Sequence, residues 1–160
     1  MDHVTSALGG MLRIGPGPWD VTPLPSTVTT NKIDSDRGVW VLAYSGEPKD
    51  TLKHLYRCKN ARLDLLHNKL GGSWDASLPN DCLSSDEEAL LQATITNRDM
   101  EQQAFDAWTA TSMETAASTA TIAQWMQQHH DALRDGLHLS TPRLEDLQVA
   151  AREAGAWGFK

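Results

Sequence analysis

The chain has 160 residues, with a hydrophobic fraction of 40%, a charged fraction of 22% and a formal net charge of −7. This length and composition are typical of about one globular domain with a single core. The negative charge argues against a nucleic-acid backbone or an anionic membrane as the main partner, and no apolar run approaches the roughly 18 to 20 residues of a membrane span.

The first third of the chain is predicted to contain one helix and three strands. In the first ten residues, Val4, Ala7 and Leu8 have helical spacing, and Gly9 and Gly10 predict the end of that helix. Three strands are predicted after it, over residues 11–14, 19–24 and 38–45. The third is a nearly continuous apolar run, which favours a central strand buried on both faces.

The rest of the chain is predicted to be helical. Four apolar patterns with helical spacing predict helices over residues 49–70, 85–108, 113–135 and 142–155. Ser85 and Glu88 are the predicted capping box of the second helix, and Thr141 before Pro142 predicts the start of the fourth. Residues 156–160 resemble the start of a strand. This layout predicts an α+β fold in which helices pack on a small, mainly antiparallel sheet.

The histidines and cysteines do not predict a metal site by themselves. Cys58 and Cys82 lack the spacing of a zinc ribbon or a redox pair, so a reducing, cytoplasmic environment is expected. His54 and Cys58 are four residues apart on a predicted helix but have no visible third ligand, and a solvated His beside a packed Cys is the favoured interpretation. His129 and His130 are expected to be a solvated pair.

A cluster of basic residues lies in the first of these four helices. Its members are Lys49, Lys53, Arg57, Lys59 and Arg62. The favoured interpretation is a solvated surface, and the alternative is a surface that faces phosphate. The Gly15-Pro16-Gly17 segment lacks the glycine pattern and the lysine of a phosphate loop, so it is predicted to be a turn.

Two stretches resemble the GHMP small-molecule kinases, and galactokinases in particular. The first is LRDGLHLSTPRLEDL at 133–147 followed by AAREAGAWGFK at 150–160, which is similar to the helix, Ser-Pro turn and Ala-Gly-Ala-x-Gly of that family's C-terminal region. The second is the opening Met1-Asp2 with Ser6-Ala7-Leu8-Gly9-Gly10. Between them, Asp50 and Tyr56 keep the six-residue spacing of a galactokinase helix.

The resemblance implies a function and a site. It implies ATP-dependent phosphorylation of a small-molecule hydroxyl, most nearly that of a sugar, with ATP and Mg²⁺ as cofactors. It identifies Asp2 as the catalytic carboxylate that accepts or orients the proton of the substrate hydroxyl, and Tyr56 as a substrate-binding residue. It also implies that residues 1–47 are a remnant of an N-terminal domain and that 48–160 are a C-terminal kinase domain cut short at its end.

The sequence departs from that family where ATP would bind. The Gly-rich Ser loop, the motif with a substrate-facing Arg and Glu, and the second Gly-rich motif are not in this sequence. The chain is therefore expected to have little or no kinase activity alone. Two alternatives stay open, a mevalonate- or phosphomevalonate-type kinase and a non-enzymatic α+β binding module with the same architecture.

Overall fold

A computed structural model describes residues 12–14, 20–23, 39, 41–48, 50–76, 82–110 and 117–160. Within them, two short strands form an antiparallel sheet, β1 (Leu12–Ile14) and β2 (Val21–Pro23). Leu12 lies opposite Pro23 at one end of the pair and Ile14 opposite Val21 at the other. The first two predicted strands are therefore confirmed, each in a shorter form.

Helices make up most of the described chain. They are α1 (Thr51–Leu55), a π-helical turn (Tyr56–Asn60), α2 (Ala61–Asn68), α3 (Ser85–Ala110), α4 (Ala117–Asp135) and α5 (Pro142–Glu153). The first three are continuous and form the single helix that the sequence predicted over 49–70. A mixed helical fold with a small two-stranded antiparallel sheet is compatible with the predicted α+β class.

Most helix ends lie where the sequence predicted them. Asp50 caps α1 by accepting a hydrogen bond from the backbone N–H of Lys53, at 3.0 Å. Gly71 and Gly72 follow α2 with φ of 59° and 88°, left-handed angles that glycine adopts without a steric penalty. Thr141 caps α5 through the N–H of Leu144.

The capping box of α3 lies one residue earlier than predicted. The backbone N–H of Ser84 donates to the Glu87 carboxylate at 2.8 Å, and the N–H of Glu87 donates to the Ser84 hydroxyl at 3.3 Å. The Ser85–Glu88 pairing is therefore wrong. Two consecutive serines precede three acidic residues, so the sequence allows a capping box from either serine. In the structure Ser85 is already the first helical residue, and Ser84 is therefore the cap.

The predicted central strand over 38–45 is wrong for the residues that the structure describes there. Residues 39 and 41–45 have no regular secondary structure, and their apolar side chains are exposed, with Leu42 100% and Val41 84% accessible. A strand requires a hydrogen-bonded neighbour, and the described sheet contains only β1 and β2. Strand propensity alone therefore did not decide this segment.

The predicted strand at 156–160 is also wrong. These residues are irregular and pack against α4 instead. Gly158 lies so close to α4 that a β-carbon on it would be 2.1 Å from the backbone oxygen of Ala123. The ring of Phe159 meets the ring of His130 edge-on, with centroids 5.1 Å apart.

The core lies between α2, α3 and the segment after α4. Its buried members are Leu65, Leu70, Leu90, Ala93, Leu137 and Leu139. Two of these six come from the short loop between α4 and α5, so that loop is part of the core. The predicted N-terminal helix, the turn at 15–18 and residues 113–116 lie outside the described residues, and the proposed boundary at residue 47 stays a prediction.

Close packing of α3 against the end of α4 depends on Gly136. A β-carbon there would lie 2.2 Å from the β-carbon of Ala93 and 2.8 Å from the backbone oxygen of Ala89. We expect Gly136→Ala to lower the free energy of unfolding by about 3 kcal/mol, at the upper end of overpacking costs. Thermal unfolding measures this, at about 2 to 4 °C per kcal/mol.

Gly72→Ala is the matched control. No atom lies within 4 Å of its added β-carbon, so only the left-handed backbone opposes it, at about 1 kcal/mol. Equal destabilisation by the two substitutions would contradict the close approach of α3 and α4.

Candidate functional site

The structure describes one of the two site residues that the sequence predicted. Asp2 lies outside the described residues. Tyr56 begins the π-helical turn between α1 and α2, and 53% of its surface is accessible. Tyr56 is therefore not a core tyrosine.

Tyr56 stands on an exposed apolar face. Leu52, one helical turn earlier, is 80% accessible, and Leu55 is 52% accessible. The phenol of Tyr56 makes no hydrogen bond to any described residue. Both the ring face and the hydroxyl are thus available to a ligand that has hydroxyl groups and apolar C–H faces.

The side chain of the next residue, Arg57, is directed into the protein and is hydrogen-bonded to the loop between α4 and α5. Its Nε donates to the backbone oxygen of Leu137 at 3.1 Å, and its Nη2 donates to that of Gly136 at 2.8 Å. Only 12% of the Arg57 side chain is exposed, whereas the sequence predicted a solvated residue. Leu137 is fully buried, so its backbone oxygen needs a partner inside the protein.

Asp86 completes this arrangement from the first turn of α3. Its two carboxylate oxygens accept from Nη1 and Nη2 of Arg57 at 2.8 and 3.0 Å. The hydrogen bond from Arg57 lowers the pKa of the Asp86 carboxyl, and His138, 3.1 Å away, lowers it further. His138 has φ of 54°, an uncommon left-handed conformation for a residue with a side chain.

We call Arg57, Asp86, His138 and the backbone oxygens of Gly136 and Leu137 the arginine anchor. It connects the two described stretches on which the kinase resemblance rests. Asp50–Tyr56 lies immediately before Arg57, and residues 133–147 contain the loop that Arg57 holds. A hydrogen bond from the Thr141 hydroxyl to the Glu47 carboxylate joins the same two regions.

A second polar cluster joins α4 to α5. His130, 5% accessible, has its Nε2 3.1 Å from a carboxylate oxygen of Glu145, and the Ser140 hydroxyl donates to that carboxylate. Burial raises the pKa of Glu145, but the hydrogen bonds from Ser140 and His130 outweigh it, and the net shift is downward. The prediction of a solvated histidine pair is therefore wrong for His130.

The prediction is wrong for His129 as well. Its Nδ1 is buried and has no hydrogen-bond partner among the described residues. Burial lowers the pKa of His129 to about 4, and the nearby charges of Lys160 and Arg62 act in the same direction. His129 is therefore neutral in the folded protein at neutral pH.

The described residues do not bring together a set of metal ligands. No group of three or more His, Cys, Asp or Glu side chains in the described ranges could hold a metal ion. Cys58 is exposed, and the Nδ1 of His54 lies 2.6 Å from the backbone oxygen of Asp50. The implied Mg²⁺ therefore has no residues assigned to it in the described part of the chain.

Comparisons with known proteins identify no relative of this chain. No family model matches the sequence, and no significant match was found among curated proteins or solved structures. Of the helices in the described ranges, none combines the length and the hydropathy needed to cross a bilayer.

The sequence contained a signal for two of the residues whose burial was missed. Arg57, Ala61 and Leu65 follow one another at intervals of four residues, so Arg57 shares a helix face with a buried leucine. His130 is seven residues after Ala123, which is buried on the same face of α4. Reading these polar residues as members of an apolar stripe would have predicted that both point inward.

The anchor makes a prediction about stability. Arg57→Met keeps the length of the side chain but leaves two carbonyl oxygens and the Asp86 carboxylate without their donor. We expect it to lower the free energy of unfolding by about 2 to 3 kcal/mol, the range for hydrogen bonds to charged groups. Urea unfolding measures the loss. Lys59→Met, an exposed change two residues away, should cost less than about 0.5 kcal/mol, and equal costs would refute the anchor.

The half-buried His129 makes a prediction about pH. Its folded pKa of about 4 lies below the ordinary 6.5, so the unfolded chain takes up the proton first as the pH falls. The stability that neutral His129 contributes is complete above pH 6.5 and is lost as the pH falls toward 4. Because His129 is only half buried and water screens its charge, the loss between pH 7 and 5 is expected to be about 1 kcal/mol.

His129→Gln should remove that part of the pH dependence when urea unfolding is measured at pH 7 and pH 5. His67→Gln, a change of an exposed histidine, serves as the control and should leave the dependence intact. Glu145 and Asp135, whose pKa values are lowered, lose their contributions only below their ordinary values of 4.5 and 3.8. An unchanged pH dependence in His129→Gln would show that His129 is not buried in its neutral form.

Proposed function

We propose that this chain takes part in the ATP-dependent phosphorylation of a small-molecule hydroxyl, with a sugar as the acceptor, as a polypeptide of the GHMP kinase type. The observation that supports this most is the arginine anchor. It places side by side the helix with the Asp50–Tyr56 spacing and the loop of the Ser140-Thr141-Pro142 motif, two stretches that were matched to the kinases separately.

The proposed division of roles follows from the chemistry of phosphoryl transfer, which depends on positioning and on neutralising charge. Tyr56 offers an accessible ring and hydroxyl to the acceptor. The anchor fixes the helix that presents Tyr56, because Arg57 makes four hydrogen bonds, two to backbone oxygens and two to the Asp86 carboxylate. Asp2 orients the acceptor hydroxyl and takes its proton, and its position beside Tyr56 is part of the proposal.

ATP with Mg²⁺ supplies the phosphoryl group in such a reaction. The Gly-rich loops that hold ATP phosphates in these kinases are not in this sequence. The proposal therefore confines the residues of this chain to holding and orienting the acceptor, and mevalonate-type acceptors remain the alternative to sugars.

One observation favours a second candidate, a non-enzymatic binding module. Val41, Leu42 and Tyr44 are 84%, 100% and 86% accessible and lie in one irregular segment. Contiguous exposed apolar side chains of this kind are typical of surfaces that bind another protein. A module of this kind would not bind sugars through Tyr56.

Binding of the acceptor separates these candidates without requiring kinase activity. Ligand-observed NMR with galactose and mevalonate measures which acceptor binds to the chain. We expect galactose to bind, and Tyr56→Phe to weaken it by about fivefold, because loss of one hydrogen bond costs about 1 kcal/mol. Tyr44→Phe is the matched control, since Tyr44 is a more exposed tyrosine on the irregular segment.

The outcomes distinguish the hypotheses. Binding of mevalonate in place of galactose would move the assignment to mevalonate-type kinases. Binding of neither acceptor, or an equal effect of the Tyr56 and Tyr44 substitutions, would reject the proposed acceptor site. A phosphorylation assay with ATP should show little or no product from this chain by itself.

A further inference from the structure

A cavity of about 630 Å³ lies between the β-sheet and helices α2 and α3, within the size range of small-molecule sites. Three arginines line it, each from a different element, Arg13 from β1, Arg62 from α2 and Arg98 from α3. The carboxylates in its lining are Asp20 and Glu101, and Asp75 and Asp99 also pair with Arg98. Arg62 is thus the lining arginine that has no carboxylate partner among the described residues.

Two of the three arginines are held in place by the protein. Arg13 donates from Nε and Nη2 to the Glu101 carboxylate, at 2.6 and 3.0 Å, which leaves its Nη1 free of these bonds. Arg98 donates from Nε to Asp99 and from Nη1 to Asp75, which leaves its Nη2 free. Carboxylates thus orient each guanidinium, and Arg13 also contacts Gln102 and the ring of Phe105. The Nη1 of Arg13 and the Nη2 of Arg98 have no hydrogen-bond partner among the described residues.

Arg62 differs because nothing in the described protein satisfies it. Its Nε is buried and lacks a hydrogen-bond partner, and it forms no ion pair with any described residue. Burial lowers the pKa of the Arg62 guanidinium. Folded proteins rarely leave a buried donor of a charged group unpaired, so the buried Nε of Arg62 calls for an anionic partner other than the described residues.

The surroundings of Arg62 also favour an anion. His129 and Lys160 lie close enough that the charges of Lys160 and Arg62 lower the pKa of His129, in addition to the larger effect of burial. Asn97, which lines the same cavity, has a buried side-chain oxygen with no partner. A ligand that fills the cavity therefore meets positive charge at Arg62 and an amide that is free to bind a hydroxyl group.

We propose that this cavity binds the phosphate group of a phosphorylated small molecule, with Arg62 as the anchoring residue and Arg13 and Arg98 as flanking donors. Tetrahedral phosphate accepts hydrogen bonds from several directions, whereas a planar carboxylate is suited to one guanidinium in its own plane. Three guanidinium groups from three elements fit the first geometry. Asn97 and Thr22 are placed to contact the hydroxyl groups of the esterified part.

This site goes beyond the proposed phosphorylation reaction and does not depend on it. It uses neither Tyr56 nor the arginine anchor, and its test requires no turnover. The alternative interpretation of the basic cluster was a surface that faces phosphate. Arg62 fits that interpretation because it lines a cavity, whereas Arg57 is hydrogen-bonded to the protein.

The probes are inorganic phosphate and glucose 6-phosphate, with glucose and succinate as comparison ligands at constant ionic strength. Isothermal titration calorimetry measures affinity, and the ¹⁵N–¹H resonance of the Arg62 Nε reports contact at the site. We expect both phosphates to bind and to shift the Arg62 resonance. Stronger binding of succinate than of phosphate would overturn the phosphate assignment.

Arg62→Met removes the charge and keeps the aliphatic stem. It should weaken the binding of both phosphates by about tenfold or more, since charged hydrogen bonds are lost, and it should leave the melting temperature unchanged or higher. Arg152→Met, a change of an exposed arginine on α5, is the matched control and should alter affinity by less than about twofold.

The experiment remains decisive if Arg62→Met does not fold. In that case the wild-type Arg62 resonance decides, because a phosphate that binds elsewhere leaves it unmoved. Equal losses of affinity in the Arg62 and Arg152 variants, an unmoved resonance, or no phosphate binding would each refute the site.

Discussion

The fold depends on one buried arginine placed at the end of a helix. The last carbonyl groups of α4 carry partial negative charge and lack partners within the helix. Arg57 reaches two backbone oxygens of the segment that follows, at Gly136 and Leu137, and pairs with Asp86 at the start of α3. One side chain thereby connects three helical segments and allows a loop with two buried leucines to enter the core.

Arg62, in the same basic cluster, lacks the partners that Arg57 has. Arg57 and Arg62 lie five positions apart in one continuous helix, and each is largely withdrawn from water. Arg57 has carbonyl and carboxylate partners for its donors, whereas the buried Nε of Arg62 has none among the described residues. Arg57 thus holds the helices in their arrangement, and Arg62 lines the cavity that we propose binds an anion.

The candidate site was predictable in part. The resemblance named Tyr56 through its spacing to Asp50. The structure shows that this phenol is accessible, and its role in substrate binding stays a prediction. Asp2 lies outside the described residues, so its role rests on the resemblance. Arg57 and His130 were missed because a charged or titratable residue was assumed to be solvated. Helical spacing places each on the same face as a buried residue, but the partners that satisfy them come from other elements, which the spacing does not identify.

The sequence by itself determined the described helices and most of their ends. The residues that begin or end these helices act on their own neighbours in the chain, so their effect can be predicted from the sequence. They are Asp50, Thr141, Pro142 and the Gly71-Gly72 pair. Only the tertiary structure decided which partners satisfy the buried polar residues and whether the apolar run at 38–45 forms a strand. Those outcomes depend on partners far away in the chain, because a strand needs a neighbouring strand and a buried charge needs an opposite charge or a carbonyl oxygen.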